Sequence, residues 1–177
     1  PTTFPAILVN SNVGIAVSMA SNVCPFNLQE VCETCISLMK NPEHDILSTL
    51  KAPDFPGGAF IIYDENELRK IYDTGRGSIK VRSKYTYDKS ANCIEVTEIP
   101  YTTTVEAIIE KIADLIQQGK IREISYIRDE TDIDGLKIAI DLKRGTDPEK
   151  LMQKLFRLTP LQDNYSCNFN ILIAGTP

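Results

Sequence analysis

Ser78-Ile79-Lys80-Val81-Arg82-Ser83-Lys84-Tyr85-Thr86-Tyr87 is the stretch on which the fold turns. Ile79, Val81, Tyr85 and Tyr87 alternate with Ser78, Lys80, Arg82, Lys84 and Thr86, the period-two pattern of a strand with one dry and one wet face. Positions two apart point the same way, so Lys80, Arg82 and Lys84 are expected together on the wet face. Downstream, the turn-forming residues 88–92 lead into a second strand over 93–99. Thr103 and Glu106 read as a capping box. They open a helix in which Val105, Ile108, Ile109, Ile112, Leu115 and Ile116 keep a 3.6-residue period until Gly119. Two more strands, 121–128 and 136–143, enclose the turn Asp134-Gly135. Asp147-Pro148 then supplies an N-cap and a first-turn proline for a last helix that ends before Pro160. The order ββαββα, with both helices amphipathic, predicts an α+β fold: a two-layer sandwich whose mostly antiparallel sheet carries both helices on one face.

Upstream the signals are shorter. Asp64 followed by Glu67 caps a helix closed by Gly75. Asn27 with Glu30 starts another through Lys40, with Leu28, Val31, Cys35, Leu38 and Met39 on one face, and Asn41-Pro42 stops it. A short helix is expected over 46–51. The organisation predicted is a loop-rich N-terminal α/β lobe, 1–63, followed by the two-layer lobe, 64–177.

At 177 residues the chain can bury one real core or two small ones. Its 42% hydrophobic and 24% charged content is ordinary for a soluble globular protein. The apolar runs 7–9 and 59–63 are far too short to span a bilayer. Pro1 is not followed by a basic, then apolar leader, as expected of an interior segment without a signal peptide. The five cysteines are scattered. Cys32 and Cys35 form a CxxC on one helical turn with no second pair, and His44 is the only histidine, whereas zinc needs about four ligands. Reduced structural thiols in a cytoplasmic protein are the expected state.

The net charge of −5 is unusual for a nucleic-acid module. Residues 69–89, however, hold seven basic side chains against two acidic ones, so that window is net +5 and the remainder net −10. The local field within a Debye length of about 8–10 Å decides a binding footprint, not the sum. Lys80, Arg82 and Lys84 at two-residue steps of about 6.6–7 Å match the run of phosphates along one nucleic-acid strand. Arg76, flanked by Gly75 and Gly77, is placed for close approach to a phosphate. An ordinary solvated strand face accounts for the same cations.

Other chemistries lack parts. Gly75-Arg76-Gly77 is half of a dinucleotide fingerprint, but the third glycine is missing and a strand follows instead of a helix. Glu130, Asp132, Asp134, Gly135 and Asp141 imitate a calcium loop, but strands flank them where an EF-hand needs helices. No serine sits in GxSxG and no cysteine is paired with a nearby histidine.

Four runs, Gly14-Ile15-Ala16-Val17, Pro53-Asp54-Phe55-Pro56, Thr74-Gly75-Arg76-Gly77 and Glu98-Ile99-Pro100-Tyr101, occur in an order and spacing that resembles the A subunit of bacterial type IIA DNA topoisomerases, the gyrase and topoisomerase IV family. Ile127-Arg128-Asp129-Glu130 and Leu142-Lys143-Arg144 continue the pattern, so the resemblance covers essentially the whole chain. It implies an interior tower-domain segment that supports the bent duplex to be cut. The family's nucleophilic tyrosine lies upstream, and none of the seven tyrosines here has its Arg-Tyr context. No catalytic residue and no metal ligand is therefore expected in this segment.

The resemblance further implies double-stranded DNA as partner, with Arg76, Lys80, Arg82 and Lys84 as phosphate contacts that position without reading sequence. It implies that Ile15 wedges between base pairs and kinks the duplex. From residue type alone, Ile15 would be assigned to the core. Asn10, Ser11 and Asn12 are the expected polar contacts beside the wedge. The chain departs from the family with Asn10-Ser11 in place of Asn-Gly, Ser18 in place of Gly, and Cys24-Pro25-Phe26-Asn27 in place of Pro-Pro-His-Asn. For the intact enzyme the resemblance implies an A2B2 assembly, an A-subunit homodimer formed through segments outside this chain, and Mg2+ and ATP held through the B subunit. No cofactor is expected on this segment. The competing expectation is a stand-alone α+β domain for protein interaction or small-molecule binding.

Overall fold

Helix and strand ends are set by local chemistry that the computed structural model makes explicit for residues 2–17 and 19–171. The elements are α1 (Ala6–Val9), β1 (Asn12–Ala16), β2 (Met19–Val23), α2 (Leu28–Lys40), α3 (Ile46–Thr49), β3 (Phe60–Ile62), α4 (Glu65–Thr74), β4 (Arg76–Arg82), β5 (Lys84–Asp88), β6 (Cys93–Glu98), α5 (Val105–Gln117), β7 (Ile124–Asp129), β8 (Ile138–Leu142), α6 (Pro148–Leu158) and β9 (Gln162–Asn168). Asn27, Asp64 and Asp147 each accept two backbone N–H bonds at the N-termini of α2, α4 and α6, which satisfies donors the first turn leaves open. Gly75 ends α4 in the left-handed conformation, with φ of 70°. The cap of α5 is Thr104, whose hydroxyl accepts from Ala107, and not Thr103 as the sequence suggested.

The chain divides into two compact units built from alternating segments. One comprises Pro1–Pro56, Tyr63–Ile79 and Tyr165–Pro177, the other Gly57–Ile62 and Lys80–Asn164. This differs from consecutive lobes 1–63 and 64–177, because α4 and the end of β9 belong with the N-terminal segment.

In the second unit β5, β6, β8 and β7 form an antiparallel sheet in that order, and the sequence of elements from β5 to α6 is ββαββα. Register follows the apolar pattern: Ile94 faces Ile140 and Val96 faces Ile138. Those side chains join Val105, Ile108, Ile112 and Leu115 of α5 and Leu151, Met152, Leu155 and Phe156 of α6 in one buried cluster. Both helices therefore cover the same sheet face. At about 1.5–3 kcal/mol per fully buried large side chain, this cluster is the main source of the unit's stability. The other face is polar and ion-paired: Lys137 reaches Glu95 (2.8 Å) and Glu130 (3.2 Å), and Arg128 reaches Glu130 (2.9 Å) and Asp141.

In the first unit α2 buries Val31 and Thr34, while Leu28 and Met39, expected on that face, are exposed. Thr34 Oγ1 lies 2.7 Å from Thr49 Oγ1 of α3, so a hydroxyl pair holds a position the hydrophobic pattern skipped. Phe26 packs edge-on against Tyr72, whose hydroxyl donates to the Leu50 carbonyl.

The single strand expected over 78–87 is two strands in two sheets. β4 belongs to a sheet ordered β1-β2-β9-β4-β3, whereas β5 opens the four-stranded sheet. The break is Ser83, a buried residue whose N–H donates to the Leu161 carbonyl at 2.8 Å. Alternation runs through it undisturbed because Ser83 occupies an inward position, so periodicity could not mark the change of sheet.

Candidate nucleic-acid interface

β1 and β2 pair antiparallel from Asn12↔Val23 to Ala16↔Met19. Asn12-Val13-Gly14 is thus part of a strand. Three apolar side chains here are turned outward: Ile15 is 90% exposed, Val17 97% and Val13 68%. Isoleucine and valine are ordinarily buried, so an outward row of them is unusual. Among the described residues a Cβ at Gly14 would meet nothing within 4 Å. Ser18 lies outside the described residues.

The polar residues assigned beside Ile15 serve different ends. Asn10 caps α1, with both its backbone N–H (2.9 Å) and its side-chain amide (3.3 Å) donating to the Ala6 carbonyl. Ser11 is half-buried, and Asn12 is exposed opposite Val23. Sequence reasoning missed the residues that seat the hairpin. Asn22 donates to the Ser166 carbonyl and accepts from the Tyr165 hydroxyl at 2.7 Å. Asn168 and Asn170 both donate to the Ala20 carbonyl, at 2.7 and 2.8 Å. Tyr165, Ser166, Asn168 and Asn170 meet β2 from β9 and the residues just after it. Their segment is too polar to read as a strand.

The cations separate into two groups. Arg76, Lys80 and Arg82 alternate along β4 and so share one face. Arg76 and Lys80 are exposed, and among the described residues neither has an ion-pair partner. Arg82 is half-buried: its Nε donates to Gln162 Oε1 at 2.8 Å and its guanidinium lies 4.7 Å from the Phe156 ring centre. Such a cation–π contact contributes roughly 0.5–2 kcal/mol. Lys84 does not extend this row, because it belongs to β5 and pairs with Glu98 at 3.2 Å. Glu98 also accepts the Ala59 N–H at 2.6 Å, and that bond, with Lys84 beside it, holds its carboxyl below the usual range. Cross-strand neighbours add apolar surface, since exposed Phe60 stands opposite Arg82 and exposed Ile62 opposite Lys80.

The glycines around Arg76 are explained by packing. A Cβ at Gly77 would come within 2.5 Å of Ile71 Cγ1 and 2.7 Å of Glu67 Oε1, and a Cβ at Gly75 within 3.2 Å of the Phe169 carbonyl. The motif joins α4 to β4 tightly, and the exposure of Arg76 accompanies that joint.

The chain belongs to the A-subunit family of DNA gyrase and topoisomerase IV, whose profile matches residues 1–177. It is 44% identical over 183 residues to the DNA gyrase A subunit of Ureaplasma parvum serovar 3, with 100% of this chain and 22% of that protein covered. The DNA gyrase A subunit of Synechocystis is 41% identical over 187 residues, again with 100% of this chain and 22% of the relative covered. That of Borreliella burgdorferi is 40% identical over 183 residues with the same coverage. The chain thus spans about a fifth of the length of the curated relatives it matches. Among the described residues no helix is long and apolar enough to cross a membrane.

Proposed function

We propose that this chain is the DNA-supporting and DNA-bending segment of the A chain of a type IIA topoisomerase. The observation that carries the reading is Ile15, an isoleucine 90% exposed on the β1/β2 strand pair where a buried residue would be the rule. Inserted between base pairs, its side chain offsets a few kcal/mol of unstacking through the contacts a bent duplex gains. Val13 and Val17 give the wedge apolar shoulders. Arg76 and Lys80 hold phosphates, Arg82 contributes as a partly engaged cation, and Lys84 contributes only when its pair with Glu98 opens.

In the intact enzyme a tyrosine outside this chain makes the double-strand break, and a second duplex passes through it with ATP hydrolysed on the B subunit. Mg2+ and ATP are assigned to the B subunit. This segment holds no cofactor, binds duplex without cutting it and acts in the cytoplasm. Arg76 and Lys80 as phosphate contacts require a salt-dependent affinity. Titration of labelled duplex at two salt concentrations should show a log–log slope that falls by about 0.9 per cation removed in Arg76→Ala and Lys80→Ala. End-to-end fluorescence transfer should show that Ile15→Ala lowers the bend and leaves the salt slope unchanged. Salt-independent binding, or an unaltered bend in Ile15→Ala, would refute the reading and favour an interaction domain.

A further inference from the structure

Cys24 and Cys167 are separated by 143 positions, both buried, and their Sγ atoms lie 3.8 Å apart. Cys24 directly follows β2 and Cys167 lies near the end of β9. All five thiols of the chain are free. Cys32 and Cys35 are half-buried on α2, and Cys93 is buried in the other unit with its thiol pushed up to about 11 by burial. Only Cys24 and Cys167 meet another thiol across a long span of chain. A buried cysteine alone is a small hydrophobe, but two in contact across a tertiary junction are positioned for a bond.

We propose that Cys24 and Cys167 are an oxidative modification site, forming a reversible disulfide with hydrogen peroxide as oxidant and fastening the base of the β1/β2 hairpin to β9. The inference rests on this geometry and is independent of the DNA reading. The Cys167 thiolate attacks a peroxide oxygen, the O–O bond breaks, and the hydroxide released takes a proton to become water. Cys24 sulfur then attacks the sulfenic sulfur of Cys167. The S–O bond breaks, and the hydroxyl leaves with the Cys24 proton as a second water. Two electrons pass from the thiols to the peroxide. The hydrogen bond with Cys24 lowers the Cys167 thiol, while the same bond and burial raise Cys24, so Cys167 is the first to react. The sulfurs must close from 3.8 Å to about 2.05 Å for the bond to form.

The bond would act where backbone pairing is thin. Among the described residues β2 and β9 share the register pair Asn22↔Asn168, and side-chain bonds of Asn22, Tyr165, Asn168 and Asn170 add to it. A covalent link across so long a loop also restricts the unfolded chain strongly.

The test is peroxide treatment of the folded chain, wild type and with Cys32→Ser, Cys35→Ser and Cys93→Ser combined, followed by non-reducing digestion and mass spectrometry. The expected result is one cross-linked peptide joining Cys24 to Cys167, reversed by dithiothreitol, with a melting temperature several degrees higher in the oxidised form. Intact thiols at both positions in the folded protein, sulfinic acid at Cys167 instead of a cross-link, or a cross-link that leaves the melting temperature unchanged would each overturn the proposal. The peptide map of the wild-type protein decides the matter even if the triple variant folds poorly.

Discussion

Gly77→Ala should be one of the most damaging single-methyl additions available to this protein. The added carbon would sit 2.5 Å from Ile71 Cγ1, 3.1 Å from Ile71 Cδ1 and 2.7 Å from Glu67 Oε1. Ile71 is 1% exposed and cannot swing out to solvent. Glu67 can move, but its Oε1 accepts the Ser78 N–H at 3.0 Å, so movement breaks that bond. Overpacking costs about 1–3 kcal/mol and the lost hydrogen bond about 0.5–1.5 kcal/mol, together about 1.5–4.5 kcal/mol. At about 2–4 °C per kcal/mol for a chain of this size, the melting transition should fall by roughly 3–18 °C. Urea unfolding of Gly77→Ala, Ile71→Ala and the double variant checks the cause. Ile71→Ala alone should cost about 2–5 kcal/mol, and the double variant should fall short of the sum by about 1–2 kcal/mol because the alanine at 77 fills space that Ile71 vacates. Gly14→Ala is the control: its Cβ meets nothing within 4 Å, so stability should change by less than about 0.5 kcal/mol. Additive costs, or a Gly77→Ala variant as stable as the parent, would show that the close approach of α4 and β4 does not require glycine.

Two further outcomes follow from the second unit. Ile140→Ala, at a fully buried position in the middle of β8, should cost about 2–5 kcal/mol in urea unfolding; a loss below about 1 kcal/mol would mean the core collapses around the gap. Glu98 links acid stability to the Gly57–Ala59 turn. Its folded carboxyl titrates below its unfolded value of about 4.3, so its contribution is present above that pH and is lost as pH falls through the lower folded value. Thermal melts of Glu98→Gln between neutral pH and about pH 2.5 should therefore show a shallower acid slope than the parent, and parallel slopes would refute the assignment.

The second unit was legible because its signals agree at every level. Ile94 and Val96 alternate, Ile138, Ile140 and Leu142 alternate, and the apolar stripes of α5 and α6 have the width needed to cover the sheet they form. Asp147-Pro148 placed the start of α6 correctly because the cap and the proline act within one turn. Elements whose partners are distant left no such trace. β9 is Gln-Asp-Asn-Tyr-Ser-Cys-Asn, a polar run that becomes a strand because β2 and β4 flank it in the sheet. β1 defeated residue type for a different reason: Val13 and Ile15 are exposed where such side chains are normally buried.

The basic stretch shows where spacing stops carrying information. Lys80, Arg82 and Lys84 are equally spaced, yet each meets a different environment. Lys80 is exposed, Arg82 leans on Phe156 and Gln162, and Lys84 is paired with Glu98. The partners of the last two lie 74, 80 and 14 positions away, beyond any local pattern. The one residue that separates them, Ser83, differs from its inward neighbours Val81 and Tyr85 in being small and polar, and its N–H bonds to Leu161 as the chain leaves one sheet for the other. A small polar residue at an inward position of an otherwise apolar alternation is therefore the sequence mark of the break. Under the proposed DNA-supporting role, Arg76 and Lys80, and not Lys84, should therefore dominate the salt dependence of duplex binding.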